Sequence, residues 1–135
     1  MVMRILSLED DRAFLELIRA ALEAEGIDHD LVHVTSRQEF EQALRDEGPF
    51  DLILADYSVP QFDGLSALRI VRQKRYEMPF ILVSGSLGEE LAIDSLKEGA
   101  TDYVLKQRLS RLIPAIGAPK PVTRPKGTIV IVDSY

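Results

Sequence analysis

The sequence predicts an α/β fold: a five-stranded parallel sheet of order 2-1-3-4-5, doubly wound with five helices, the last one short. Three observations lead there. Short apolar runs alternate five times with stretches of helical periodicity between residues 4 and 116. The run FILV is apolar throughout and FDLILA is apolar but for Asp51, as strands buried on both faces are. Strands separated by helices of this length are joined by right-handed crossovers and so lie parallel.

The elements follow in order. Arg4–Leu8 is a short apolar strand stopped by Glu9, Asp10 and Asp11. Residues 12–25 set Phe14, Leu15, Ile18, Ala21 and Leu22 at helical spacing, and Gly26 can end that helix. Leu31–Val34 reads as a strand. Ser36 is suited to cap a helix running to Asp46, with Phe40, Ala43 and Leu44 on one face, and Gly48-Pro49 breaks it. Phe50–Ala55 is a central strand, and Asp56–Gly64 a loop containing Pro60 and Asp63-Gly64. Leu65–Tyr76 is helical; Pro79 precedes the strand Phe80–Val83. Gly85 and Gly88 punctuate a loop before the helix Glu89–Glu98, which Gly99 closes. Tyr103–Leu105 is the fifth strand and Arg108–Ile116 a last short helix, with Pro114 inside it and Gly117 at its end. Five strands in this arrangement make a flavodoxin-like sheet.

Composition narrows the function. The 135 residues are enough for one domain, and 46% hydrophobic with 28% charged residues is ordinary for a globular chain. There is no cysteine, which excludes a disulfide framework, a thiolate metal site and a cysteine nucleophile, and fits a reducing, cytoplasmic setting. No apolar run approaches the ~18 residues of a membrane span, and the N-terminal stretch turns acidic too early for a signal peptide. A net charge of −6 repels a polyanion, so direct nucleic-acid binding is not expected. Residues 1–117 carry a net of −8, whereas 118–135 carry Lys120, Arg124 and Lys126 against Asp133 alone. With Pro119, Pro121 and Pro125, that tail reads as a linker; 1–117 is the expected domain, and 128–132 a candidate extra strand.

In open parallel sheets ligands bind beyond the carboxyl ends of the strands. Glu9, Asp10 and Asp11 follow strand 1, Asp56 strand 3, Ser84 strand 4 and Lys106 strand 5. Carboxylates brought together repel, which raises pKa values, and a hard dication such as Mg²⁺ relieves the repulsion through oxygen ligands. No histidine or cysteine stands at these ends, so zinc and copper do not fit. A carboxylate can act as nucleophile toward phosphorus, and phosphoryl transfer then needs the charge neutralisation that a metal and a lysine provide. Each residue also has a plainer reading. Asp10 or Asp11 could cap the first helix, Asp56 could serve a turn, Ser84 a loop, Lys106 could be solvated, and Tyr103 is a good strand residue in any fold. His29 and His33 read as strand-end and half-buried residues. Arg69, Arg72, Lys74 and Arg75 read as a solvated basic cluster at a helix end.

The pieces RILSLEDD (4–11), DLILADYSVPQFDGLSAL (51–68), ILVSGS (81–86) and GATDYVLK (99–106) occur in order and at characteristic spacing. Over about residues 3–116 the chain resembles the receiver domain of two-component response regulators, with a chemotaxis-regulator-like fold. The resemblance implies a phosphorylation-controlled switch. Asp56 matches the phosphoacceptor. Asp10 matches the direct Mg²⁺ ligand and Glu9 its neighbour acting through water, and the backbone carbonyl of Ser58 matches the third protein ligand. Ser84 matches the hydroxyl on the phosphoryl group, Lys106 its lysine partner, and Tyr103 the switch aromatic. Ser58 and Ser86 stand near positions that tune loss of the phosphoryl group.

Three departures stand out. Gln107 replaces the usual proline after the lysine, Phe62 replaces a methionine, and the last helix is short. The implied partners are a sensor histidine kinase or phosphotransfer protein and an unidentified downstream protein, with a homodimer left open. The implied activity is self-catalysed phosphoryl transfer and autodephosphorylation without turnover of a free substrate. The rivals are a pseudo-receiver serving as a phosphorylation-independent interaction module and, more weakly, a Mg²⁺-dependent phosphohydrolase. Against the latter, Ser58 stands where such enzymes place a second aspartate.

Overall fold

The computed structural model describes residues 2–85, 89–108, 111, 112 and 114. Five strands form one parallel sheet: β1 (Met3–Leu8), β2 (His29–Val34), β3 (Leu52–Asp56), β4 (Phe80–Ser84) and β5 (Asp102–Leu105), in the order β2-β1-β3-β4-β5. Four α-helices alternate with them: α1 (Arg12–Ala24), α2 (Arg37–Asp46), α3 (Gly64–Gln73) and α4 (Glu89–Lys97). The predicted order and sheet topology hold. The fifth helix expected over Arg108–Ile116 falls largely outside the described residues; after β5 the chain makes a 3-10 turn, Lys106–Arg108. The tail 118–135 and Ser86 also lie outside them.

Strand alternation sorts the core into two layers. One layer joins Leu6, Leu8, Ile53, Ala55, Phe80, Leu82, Tyr103 and Leu105 to Phe40, Ala43 and Leu44 of α2, Ala67, Leu68 and Val71 of α3, and Leu96 of α4. The other joins Ile5, Leu52, Leu54, Ile81, Val83 and Val104 to Phe14, Ile18 and Leu22 of α1, and to Leu112. Successive strand residues point to opposite faces, so the chain buries both sides of its sheet, which is why its central strands read as unbroken apolar runs.

Local chemistry ends the helices where the sheet needs them ended. Asp11 caps α1, its side chain accepting from the amides of Ala13 and Phe14. Ser36 caps α2 and Asp63 caps α3, each accepting from a third-residue amide. Gly26 and Gly99 take positive φ after α1 and α4, a conformation that costs glycine little. The basic cluster near the end of α3 does not all lie in solvent. Arg72 is half-buried, its Nε donating to the Gly99 carbonyl and its Nη1 to those of Tyr76 and Met78. These carbonyls of chain turns would otherwise be short of donors, so they recruit the guanidinium. The exposed Arg69 pairs through two hydrogen bonds with Glu98.

Candidate functional site

Glu9 follows β1 directly, and Asp56 is the last residue of β3 rather than the first of a loop. In register, Asp56 stands opposite Val83 and Ser84 opposite Leu105. Asp56, Ser84 and Lys106 therefore step across three adjacent strand ends, each one residue farther along its strand than its neighbour's partner. Alternation adds a second constraint. Glu9, Asp56 and Lys106 have the parity of Ile5, Leu54 and Val104, the layer that packs on α1. Ser84 and Tyr103 have the parity of Leu82 and Leu105, the layer that packs on α2, α3 and α4.

The first set meets. One carboxylate oxygen from each of Glu9, Asp10 and Asp56 lies within 4.8 Å of the others. Glu9 and Asp56 are buried and Asp10 is exposed at the mouth. The Lys106 ammonium donates to Oε2 of Glu9 at 2.9 Å and to Oδ2 of Asp56 at 3.2 Å. It also lies 4.5 Å from the ring centroid of Phe14, on α1. The amide of Asp11 donates to Oε2 of Glu9, and that of Ser58 to Oδ1 of Asp56. The Glu9 amide donates to the Val34 carbonyl, and the His33 Nε2 hydrogen-bonds the Glu9 carbonyl. The backbone carrying Glu9 is thus held by β2. Among the described residues, Oε1 of Glu9 is buried with no hydrogen-bond partner.

Burial pushes the Glu9 carboxyl up to about 7, against the hydrogen bonds from Lys106 and Asp11 that pull it down; the Asp56 charge adds to the rise. Repulsion between carboxylates is therefore the lesser cause and desolvation the greater. For Lys106 the balance reverses. Burial alone would lower the ammonium, but the Glu9 hydrogen bond and charge, then those of Asp56, outweigh it and hold it above its ordinary value.

These residues fit a hard dication. The donor set is all oxygen, three carboxylates face one lysine, and a buried Glu9 oxygen lacks a partner. Buried carboxylates at strand ends beside a lysine can also take a phosphoryl group on a carboxylate oxygen. Ser84 and Tyr103 are both buried, with Tyr103 packed in the layer containing Leu82 and Leu105, while Ser58 is exposed.

Two contacts were not foreseen. Phe14 reads from periodicity as an apolar core residue, and nothing in that pattern says that a cation lies on its ring. Its place four residues after Asp10 on the first turn of α1 is the only sequence signal that it borders the site. Gln107, in place of proline, donates through Nε2 to the Gly85 carbonyl at 2.9 Å, tying the turn after β5 to the end of β4.

The fold and the strand-end constellation define a class of α/β domain with an acidic pocket at the carboxyl ends of its parallel strands. The response regulator receiver domain matches residues 5–116, and the chain belongs to that family. It is 33% identical over 104 residues to the cell cycle transcriptional regulator CtrA of Caulobacter vibrioides, covering 77% of this chain and 44% of that protein. It is 35% identical over 106 residues to the transcriptional regulatory protein BasR of Escherichia coli, covering 77% and 46%. The chain thus spans less than half the length of these curated relatives. Among solved structures, a Francisella response regulator receiver domain superposes with a TM-score of 0.74 at 28% identity, covering 85% of this chain and 93% of that one. The BeF3-activated receiver domain of Klebsiella pneumoniae RstA gives 0.69 at 32%, covering 81% and 94%. Among the described residues no helix is long and apolar enough to cross a membrane.

Proposed function

We propose that the chain is a phosphorylation-controlled switch of a two-component or phosphorelay system, accepting a phosphoryl group on Asp56. The observation that carries this reading is the convergence of Glu9, Asp10, Asp56 and Lys106 at the carboxyl ends of β1, β3 and β5. The donor is the phosphohistidine of a sensor histidine kinase or phosphotransfer protein. An Asp56 oxygen attacks phosphorus, the phosphorus–nitrogen bond breaks, and the imidazole nitrogen leaves with the electron pair and takes a proton from solvent.

Lys106 neutralises charge on the acceptor and on the transferring oxygens. Ser84 donates its hydroxyl to a phosphoryl oxygen, and Tyr103, on the same face of the neighbouring strand, serves as the switch aromatic. Asp10, Asp56 and the backbone carbonyl of Ser58 would hold Mg²⁺, with Glu9 acting through water. Bound there, the ion supplies charge neutralisation that the lysine alone does not. Water later attacks phosphorus, the bond to the Asp56 oxygen breaks and phosphate departs; in sequence, Ser58 and Ser86 fall near the positions that tune that rate in the family. The chain would turn over no free substrate. We assign the receiver to residues 1–117, with 118–135 as a tail that includes a strand-prone stretch at 128–132.

Acetyl phosphate with Mg²⁺, followed by intact mass, tests the reading. One phosphoryl group should add to the wild-type chain and none to Asp56→Asn or in EDTA. If the wild-type chain neither gains mass nor binds beryllofluoride, the switch reading falls and a phosphorylation-independent interaction module takes its place.

A further inference from the structure

The cation on the Phe14 ring has a consequence for the reaction. Lysine is a flexible four-carbon stem with a point charge, and it gives up rotamer freedom when fixed. Two anions hold it here, Glu9 at 2.9 Å and Asp56 at 3.2 Å. Both are anions that an entering dication also engages, so their grip on the lysine weakens in the metal-bound site before the phosphoryl oxygens arrive. The Phe14 ring is different. It is 5% exposed, lies 4.5 Å from the ammonium, belongs to the α1 core layer with Ile18 and Leu22, and carries no charge to be neutralised. Its quadrupole attracts a cation whatever the state of the carboxylates, and more strongly in a desolvated pocket than in water.

We propose that Phe14 is a positioning residue for phosphoryl transfer: its ring is the contact that keeps the Lys106 ammonium aimed into the site while a dication engages the carboxylates, ready for the incoming phosphoryl oxygens. The inference rests on the proposed function, since it names the residue that aims the lysine in that reaction. Phe14 has no oxygen to offer a cation and no donor to offer the acceptor. Its effect is on the rate of phosphoryl transfer and on the affinity for the phosphoryl mimic beryllofluoride, and not on the affinity for Mg²⁺.

Fluorination drains the quadrupole of a ring while nearly keeping its shape. Phe14 in the full chain is replaced by 4-fluoro-, 3,5-difluoro- and 3,4,5-trifluorophenylalanine, with Phe14→Leu as a ring-free companion. Phosphorylation by acetyl phosphate, beryllofluoride affinity, Mg²⁺ affinity and thermal midpoint are measured for each. The phosphorylation rate and beryllofluoride affinity should fall stepwise with fluorination, by about fivefold at three fluorines. Mg²⁺ affinity and midpoint should hold within twofold and a few degrees. A flat series in a working wild-type background overturns the inference alone, as does a loss of Mg²⁺ affinity in step with rate. A wild-type chain that takes no phosphoryl group overturns the proposed function, and this inference with it. If Phe14→Leu fails to fold, the fluorinated series still decides.

Discussion

Lys106 reaches back 97 positions in the sequence to hydrogen-bond Glu9 at 2.9 Å. That bond closes the site: it ties the end of the edge strand β5 to the end of β1, across the intervening ends of β3 and β4. It also makes the lysine and an entering cation competitors for the same carboxylate, since both are drawn by the same negative charge.

Replacing Lys106 by Met should separate those two roles. Without the ammonium, Glu9 and Asp56 face each other uncompensated and the metal-free protein loses stability, because an unpaired buried charge is costly. Mg²⁺ affinity should hold or tighten as the competitor is gone, while phosphorylation by acetyl phosphate falls by about a hundredfold or more. Calorimetric titration with Mg²⁺ beside intact-mass kinetics reads both. Parallel loss of binding and rate would contradict the assignment.

The Glu9 carboxyl gives a pH dependence. Its value in the folded chain, about 7, lies above its ordinary value of 4.5, so the folded state binds the proton more tightly than the unfolded chain. Its contribution to stability is fully present below pH 4.5 and is lost as pH rises through about 7. In EDTA the thermal midpoint should therefore decline between pH 5 and 8. Saturating Mg²⁺ should remove most of that decline, because it favours the ionised form. Melting curves across that range with and without Mg²⁺ check it.

Glu9→Gln keeps the shape and removes the titrating group. In EDTA at pH 8 the variant should melt higher than the wild-type chain, and its midpoint should be nearly flat from pH 5 to 8. Its Mg²⁺ affinity should be about tenfold weaker, the usual cost of losing an outer ligand. A wild-type pH profile in the variant would place the titration on another residue.

Gly64 opens α3 against β3, the strand that ends in Asp56. A Cβ there would stand 2.4 Å from a Leu82 methyl and 3.0 Å from the Asp56 carbonyl oxygen. Gly64→Ala should cost about 1–3 kcal/mol in a urea titration, as overpacking does, and should slow phosphorylation by shifting Asp56.

Arg72 and Arg69 sit one helical turn apart and should behave differently. Arg72→Ala strips hydrogen bonds from three backbone carbonyls and should destabilise by about 2 kcal/mol or more. Arg69→Ala breaks an exposed pair and should leave the urea midpoint nearly unchanged.

The order of elements, the parallel sheet and the strand-end residues were legible in the chain, because a sheet buried on both faces writes its strands as apolar runs and its crossovers as helical periods. Element limits shifted by one to three residues. β2 begins at His29 rather than Leu31, and β3 runs Leu52–Asp56 rather than 50–55, since backbone pairing continues or stops regardless of side-chain polarity. The candidate set Glu9, Asp10, Asp56 and Lys106 was legible because parallel topology delivers all strand ends to one edge.

Other features depended on three-dimensional packing. Desolvation, rather than the neighbouring carboxylates, dominates the rise of the Glu9 carboxyl, and burial depends on what packs over a residue. Arg72 turned inward because carbonyls from two segments, Tyr76 and Met78 before β4 and Gly99 after α4, converge on it. Phe14 became the floor under Lys106 because residues 14 and 106 share one face of the sheet. The sequence by itself determined which groups reach the edge, through periodicity and local capping. Only the tertiary structure decided which of them meet, which lose their water and which charge stands on which ring, because those depend on distances between segments far apart in the chain.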